Sequence, residues 1–246
     1  MRKSHRTVNC TTEFCKTKRR TPFVIVEYTL DYLNDKDDKV LIDNLLQEAE
    51  KLAKDVMPFA ANDSIHARGK DRIMANSIAG VVSEFFWKYL LNYRKEVVRS
   101  TPFEKAANQI DLEIVSNRKR IEVRSSFPRN GVEFAICHPE KEFDILGPYS
   151  NDYKIGEVHK DYYVRCLFHL QHPTDILSAI KLSNFKVYLT GGATWKMMND
   201  QNVYTEKTLV PEDALATIAE KSVYRVVPFH SALDTQEIYK LIETEK

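Results

Sequence analysis

The apolar residues of this chain change period partway along it, and that change limits the possible folds more than any other feature. From about Asp71 to Arg94, Ile78, Val81, Val82, Phe85, Phe86, Tyr89 and Leu90 recur at steps of three and four. That is the pattern of a helix with a broad apolar face suited to lie on a sheet. Over Gln109–Ser116 and Arg120–Ser125, and again over Val132–His138, the period becomes two, which predicts three strands. A core helix, then strands, then mixed elements implies an α/β fold whose mixed central sheet is flanked by helices.

The flanking sequence completes this reading. Thr21–Tyr28 is rich in strand formers, and from about Asp38, a suitable N-cap, Leu41, Leu45, Ala49, Leu52 and Val56 predict a helix followed by a polar loop from Ala60 to Gly69. Tyr162–Leu170, Phe185–Thr190 and Val223–Val227 predict further strands, and Thr174–Ile180 and Thr235–Glu243 further helices. A chain of 246 residues without internal repeats fits one large domain. Within it, residues 1–69 read as a basic N-terminal arm and helical region, and residues 70–246 as the α/β core.

A formal net charge of +1 excludes a globally basic coat, so a polyanionic partner would have to meet a local patch. Arg2, Lys3, Arg6, Lys16, Lys18, Arg19 and Arg20 stand against Glu13 in one such stretch. It reads either as an arm for phosphates or as a solvated terminus. No apolar run approaches the roughly 20 residues of a spanning helix, so a soluble, cytoplasmic protein with no membrane partner is expected. The four cysteines form no C-x-x-C pair, and Cys10 and Cys15, even with His5, fall short of the four ligands a structural zinc requires.

The chemistry concentrates in the first two predicted strands of the sheet. Ile110, Leu112 and Ile114 share one face, so Asp111 and Glu113 share the other, and Glu122 and Arg124 likewise oppose Ile121 and Val123. A two-residue turn at Asn117-Arg118 would set Glu113 across from Glu122, and Asp111 across from Arg124. Like charges directly opposite are destabilising, and a divalent cation between them would relieve the repulsion. Magnesium suits such hard oxygen donors. An ordinary solvated sheet face would show the same alternation.

Asp111, ten intervening residues and then Glu122-Val123-Arg124-Ser125-Ser126 resemble the motif of the PD-(D/E)-x-K, restriction-endonuclease-like nuclease superfamily. The resemblance spans roughly residues 71–138. It implies a restriction-endonuclease-like core, with Asp111 and Glu122 as metal ligands and catalytic residues, Arg124 in the place of the motif's lysine, and Glu84 as the glutamate that these nucleases often supply from the preceding helix. Glu113 enters the metal set from the shared face alone. The sequence departs from the motif in two places. Ile110 replaces the proline, a harmless variation. Arg124 is weightier, because a guanidinium stays protonated and cannot serve as a general base, although it can still orient water or steady the charge on a phosphate.

Other basic residues fit phosphate contact. Arg68, Lys70 and Arg72 surround Gly69 at the start of the core helix, a ready anion site. Arg118 and Lys119, with Arg120, crowd the hairpin tip, and Arg129 lies in the next turn, where contacts would position a backbone without reading its sequence. The stretch Thr190–Met198 lacks P-loop spacing and reads as a strand–turn–helix junction with Trp195 and Met198 in the core, the alternative being a phosphate-cradling or base-reading loop. The scattered histidines support neither a histidine nuclease nor a zinc hydrolase. The expectation is a Mg2+-dependent endonuclease, with Mn2+ able to substitute, that hydrolyses DNA as a restriction enzyme or antiphage-defence effector. It would act as a homodimer or as a subunit of a defence complex. The alternative is a non-catalytic nucleic-acid-binding or assembly subunit that retains the fold.

Overall fold

The computed structural model describes residues 1–9, 22–55, 69–101, 111–138, 144–150, 159–209 and 222–245. In chain order it contains strands β1 (Arg2–Val8) and β2 (Phe23–Leu30), helices α1 (Lys36–Asp55) and α2 (Lys70–Leu91), and strands β3 (Val98–Ser100), β4 (Leu112–Ile114) and β5 (Arg120–Ser126). Helix α3 (Val132–Cys137), strands β6 (Ile145–Ser150) and β7 (Tyr162–Leu167), helix α4 (Ile176–Ala179) and strand β8 (Phe185–Thr194) follow. The last elements are helix α5 (Trp195–Met198), strands β9 (Thr205–Leu209) and β10 (Ser222–Val227), and helix α6 (Thr235–Glu243).

Seven strands form one mixed sheet in the order β1-β2-β8-β7-β5-β4-β3, and β6-β10-β9 form a smaller one. Within the large sheet β5 and β7 run parallel while the other pairs are antiparallel. One face packs under α1, α2 and α6 through Ile78, Val82, Phe86, Trp87, Leu112, Ile121, Val164, Leu189 and Ile238. The other face packs against α3, α5 and the small sheet through Ile136, Tyr163, Leu167, Met198 and Val227. The expected α/β architecture with a mixed sheet flanked by helices is therefore present. Among the described residues, no helix is long and apolar enough to cross a membrane.

Four local readings need correction. Val132–His138 does not form a third strand: Val132–Cys137 is α3, because Val132, Ala135 and Ile136 lie three and four apart and bury one helical stripe. Arg2–Val8 is no free arm but edge strand β1, paired with β2 along its length, while its charged side chains keep that edge solvated. It and β2 join the same sheet as β5, so the boundary drawn at residue 69 does not divide two sheets. The rest of the basic stretch, with Cys10 and Cys15, lies outside the described residues. The side chain that caps α1 belongs to Asp35, which accepts from the N–H groups of Asp37 and Asp38 at 3.0 and 3.1 Å. Asp38, the expected cap, is buried and accepts from Asp31 N–H at 2.9 Å.

The Thr190–Met198 junction shows how the sheet bends. β8 carries one residue more than β7 between Gly192, opposite Val164, and Leu189, opposite Cys166. Gly191 takes a left-handed φ of 83° there, which marks a bulge built on glycine. The Arg165 carbonyl, opposite the bulge, accepts from Trp87 Nε1 at 3.2 Å and Thr190 Oγ1 at 3.4 Å. Helix α2 is thereby pinned to the strand beside β5.

Candidate active site

The hairpin of β4 and β5 differs from the expected one by its turn. Ile114 N–H donates to Lys119 O at 2.8 Å, and Arg118 N–H donates to Ile114 O at 2.9 Å. Four residues, 115–118, form the turn, with Arg118 at φ 63° and Asn117 Oδ1 accepting from Lys119 N–H at 3.0 Å. The register becomes Leu112 opposite Ile121 and Glu113 opposite Arg120. Continued one step, it places Asp111 across from Glu122. This corrects the expected facing pairs, Glu113 with Glu122 and Asp111 with Arg124. It also removes Glu113 from the cluster: Arg99 Nη2 at 2.6 Å and Arg118 Nη1 at 2.8 Å hold its carboxylate. The observed pairing sets Glu113 between Arg120 and Arg99, the favourable arrangement of opposite charges, and leaves Asp111 facing a like charge.

Asp111 sits where β4 begins. Its Oδ2 accepts from Val123 N–H at 2.7 Å, so the carboxylate takes the place a strand carbonyl would occupy and lies in the plane of the sheet. Burial raises its pKa well above the usual carboxylate range, and Glu122 and Glu84 raise it further, against the opposing pull of Val123 N–H and Arg124. Glu84, on α2, also has a raised pKa, chiefly from burial, with Ser100 and Lys88 acting the other way. Asp111 thus lies within electrostatic reach of Glu122 on β5 and of Glu84 on α2.

Glu122 is 7% exposed. Arg124 Nη2 lies 2.8 Å from its Oε1, and Lys160 Nζ lies 3.0 Å from its Oε2. Lys160, only 2% exposed, arrives at the head of β7 because β7 runs parallel to β5, with Glu122 beside Tyr163 and Arg124 beside Arg165. The Arg165 guanidinium is fully buried and donates to Ser126 Oγ at 2.6 Å. Burial, with Arg124 alongside, pulls its pKa down to about 10. Among the described residues, no group of three or more His, Cys, Asp or Glu side chains is arranged to hold a metal ion.

The expected phosphate contacts are dispersed. Lys70 is exposed and Arg72 partly buried in the first turn of α2, behind a Gly69 N-cap that offers no side-chain bond; Arg68 lies outside the described residues. Arg118 is paired with Glu113, and Lys119 Nζ is 2.6 Å from Glu245 Oε2. Arg129 follows the far end of β5, so the hairpin tip and Arg129 are roughly 20 Å apart and do not border one site. Sequence reasoning missed Lys160 and Arg165. The signal was a lysine two residues before a predicted strand, but it carries meaning only once that strand is known to run parallel beside β5.

A protein of Methanocaldococcus jannaschii described as uncharacterized is 29% identical over 260 aligned positions, covering 91% of this chain and 87% of the relative. No family model matches the chain. No solved structure matches it.

Proposed function

We propose that this protein is a metal-dependent endonuclease that hydrolyses phosphodiester bonds in DNA on a restriction-endonuclease-like core. The observation that carries the proposal is the buried Asp111, bonded to Val123 N–H of β5, with its ionisation opposed by Glu122 and by Glu84. A buried carboxylate whose ionisation its acidic neighbours oppose is costly for a fold, and it makes sense where a cation belongs. The donors suit magnesium: hard carboxylate oxygens, few enough to leave positions for water and phosphate. Asp111 and Glu122 would hold the ion, with Glu84 on the helix near enough to Asp111 to act on its charge. Glu113, held by two arginines, is not part of the set. A bound Mg2+ would supply Lewis-acid polarisation of the phosphate and a more acidic water.

The chain's own groups supply the rest. Arg124, 25% exposed and anchored on Glu122, can donate to a phosphate oxygen and steady its charge. Lys160 provides the ammonium that the motif carries on the residue now replaced by Arg124. The Arg124 guanidinium itself cannot be deprotonated. Cutting both strands of a duplex would call for two copies of the site, hence a homodimer or a larger defence assembly.

Incubation of plasmid and oligonucleotide DNA with Mg2+ or Mn2+ tests this reading, with wild type beside Asp111→Asn. Cleavage by wild type alone supports it, and no cleavage by either overturns it. One observation favours a second reading, a non-catalytic binding subunit. Glu122 is already neutralised on both oxygens by Arg124 and Lys160, as in a site that has exchanged its metal for fixed cations. That reading requires DNA binding that neither Mg2+ nor Asp111→Asn alters.

A further inference from the structure

Two cavities meet at Tyr93. One, of about 400 Å³, is lined by Phe85, Lys88, Tyr89, Asn92 and Tyr93, the outward stripe of α2 and the turn after it. The other, of about 300 Å³, is lined by Lys3, His5, Tyr93, Arg94, Tyr239 and Lys240 among others. Phe85 and Tyr89 are stacked, 6.0 Å apart at 21°; Tyr89 is 41% and Tyr93 66% exposed. Lys3 Nζ lies 4.7 Å from the centre of the Tyr93 ring. The cations Lys3, Lys88, Arg94 and Lys240 surround these rings, and Glu243, the acid of the second cavity, already accepts from Tyr239 OH at 3.0 Å. At the other end, Lys88 Nζ donates to Ser100 Oγ at 3.2 Å. Ser100 also bonds the Glu84 carboxylate, so the track begins at the candidate site. From residue 84 to residue 93 it runs roughly 14 Å along the helix.

We propose that this aromatic and basic track along α2 binds single-stranded DNA and leads it to Glu84, the helix-borne acid of the candidate site. Exposed rings interleaved with cations that outnumber the acids beside them match the alternation of base and phosphate in an unpaired strand. A duplex keeps its base faces stacked inside and has no use for such rings. The proposal rests on the nuclease reading only for where the strand leads, not for whether it binds.

The test uses the full chain and fluorescein-labelled oligothymidine about 12 nucleotides long, beside a duplex of equal length, in EDTA so that nothing is cut. Anisotropy should show the single strand bound more tightly than the duplex. Tyr93→Ala should weaken binding about tenfold, and Lys240→Gln should lower the slope of log affinity against log salt by about 0.7. Both positions are exposed, and circular dichroism melting checks their folds. Equal affinity for duplex, no binding, or variants that bind like wild type would overturn the track. Cleavage with Mg2+ separates the two ideas: normal binding of the strand without cutting removes the hydrolase and keeps the track, while cutting with binding insensitive to Tyr93 and Lys240 does the reverse.

Discussion

Asp111 is the residue on which the candidate site turns, and its environment gives a signed prediction. Its folded-state pKa is raised by burial and by Glu122 and Glu84. Between the unfolded value, about 3.9, and the folded one, the folded chain holds the extra proton, so this residue's contribution to stability falls as pH rises through that window. Asp111→Asn removes the effect. Without metal, the variant should melt above wild type at about pH 8, and the gap should close as pH falls toward about 4. A variant that melts lower at neutral pH would mean that the carboxylate is well satisfied as an anion. Lys160 makes the opposite case. Replacing it with Met strands Glu122, 7% exposed, without one of its two cations, and removing one partner of a buried pair costs roughly 3–5 kcal/mol. Urea denaturation should show that loss, with much of it recovered in the Lys160→Met, Glu122→Gln double variant. Strictly additive losses would show that the pair does not interact.

At the scale of elements, what the sequence made legible follows the strength of the local signal. Helix α2 and strand β5 came within a few residues of their predicted spans because each holds a clean period over a full element. Short α3 was misread because V-E-F-A-I-C satisfies a period of two and a helical stripe alike, and which wins depends on the layer it packs against. The hairpin register hinged on turn length: Asn117-Arg118 fits a two-residue turn, yet Asn117 and the left-handed Arg118 serve a four-residue one. That shift moved Glu113 out of the cluster and Asp111 into line with Glu122. The bulge of β8 was hidden because Gly191-Gly192 also reads as a turn. A Cβ on Gly191 would lie 2.2 Å from Leu233 O, at a φ of 83°. Gly191→Ala should therefore lose 1–2 kcal/mol or so from backbone strain alone, with more from the clash, read as a lower urea midpoint. At the start of α6, Asp234 accepts from the N–H groups of Gln236 and Glu237 at 2.9 Å each, while Glu237 returns a bond to Asp234 N–H at 2.7 Å. Asp234→Ala should cost about 1–2 kcal/mol by the same measurement.

At the scale of the whole molecule, the site is a product of topology. Glu84, Asp111, Glu122 and Lys160 come from four elements, and the parallel placement of β7 beside β5 seats the lysine against the glutamate. Strand patterns exposed Asp111 and Glu122 and the family resemblance pointed to Glu84, whereas Lys160 required the crossover through α3 and β6. If a divalent ion binds this cluster, it binds only the folded chain and stabilises it by about 2.7 kcal/mol at a hundred times its dissociation constant. The ion must displace the proton that Asp111 retains, so the Mg2+-induced rise in melting temperature should grow with pH until the carboxyl is ionised without help. Calorimetry across buffers of different ionisation enthalpy would count the released proton. Asp111→Asn should abolish both the proton release and the pH trend. A thermal shift that is the same at every pH, or that persists in the variant, would place the ion elsewhere on the surface and leave the acidic cluster without the role argued for it.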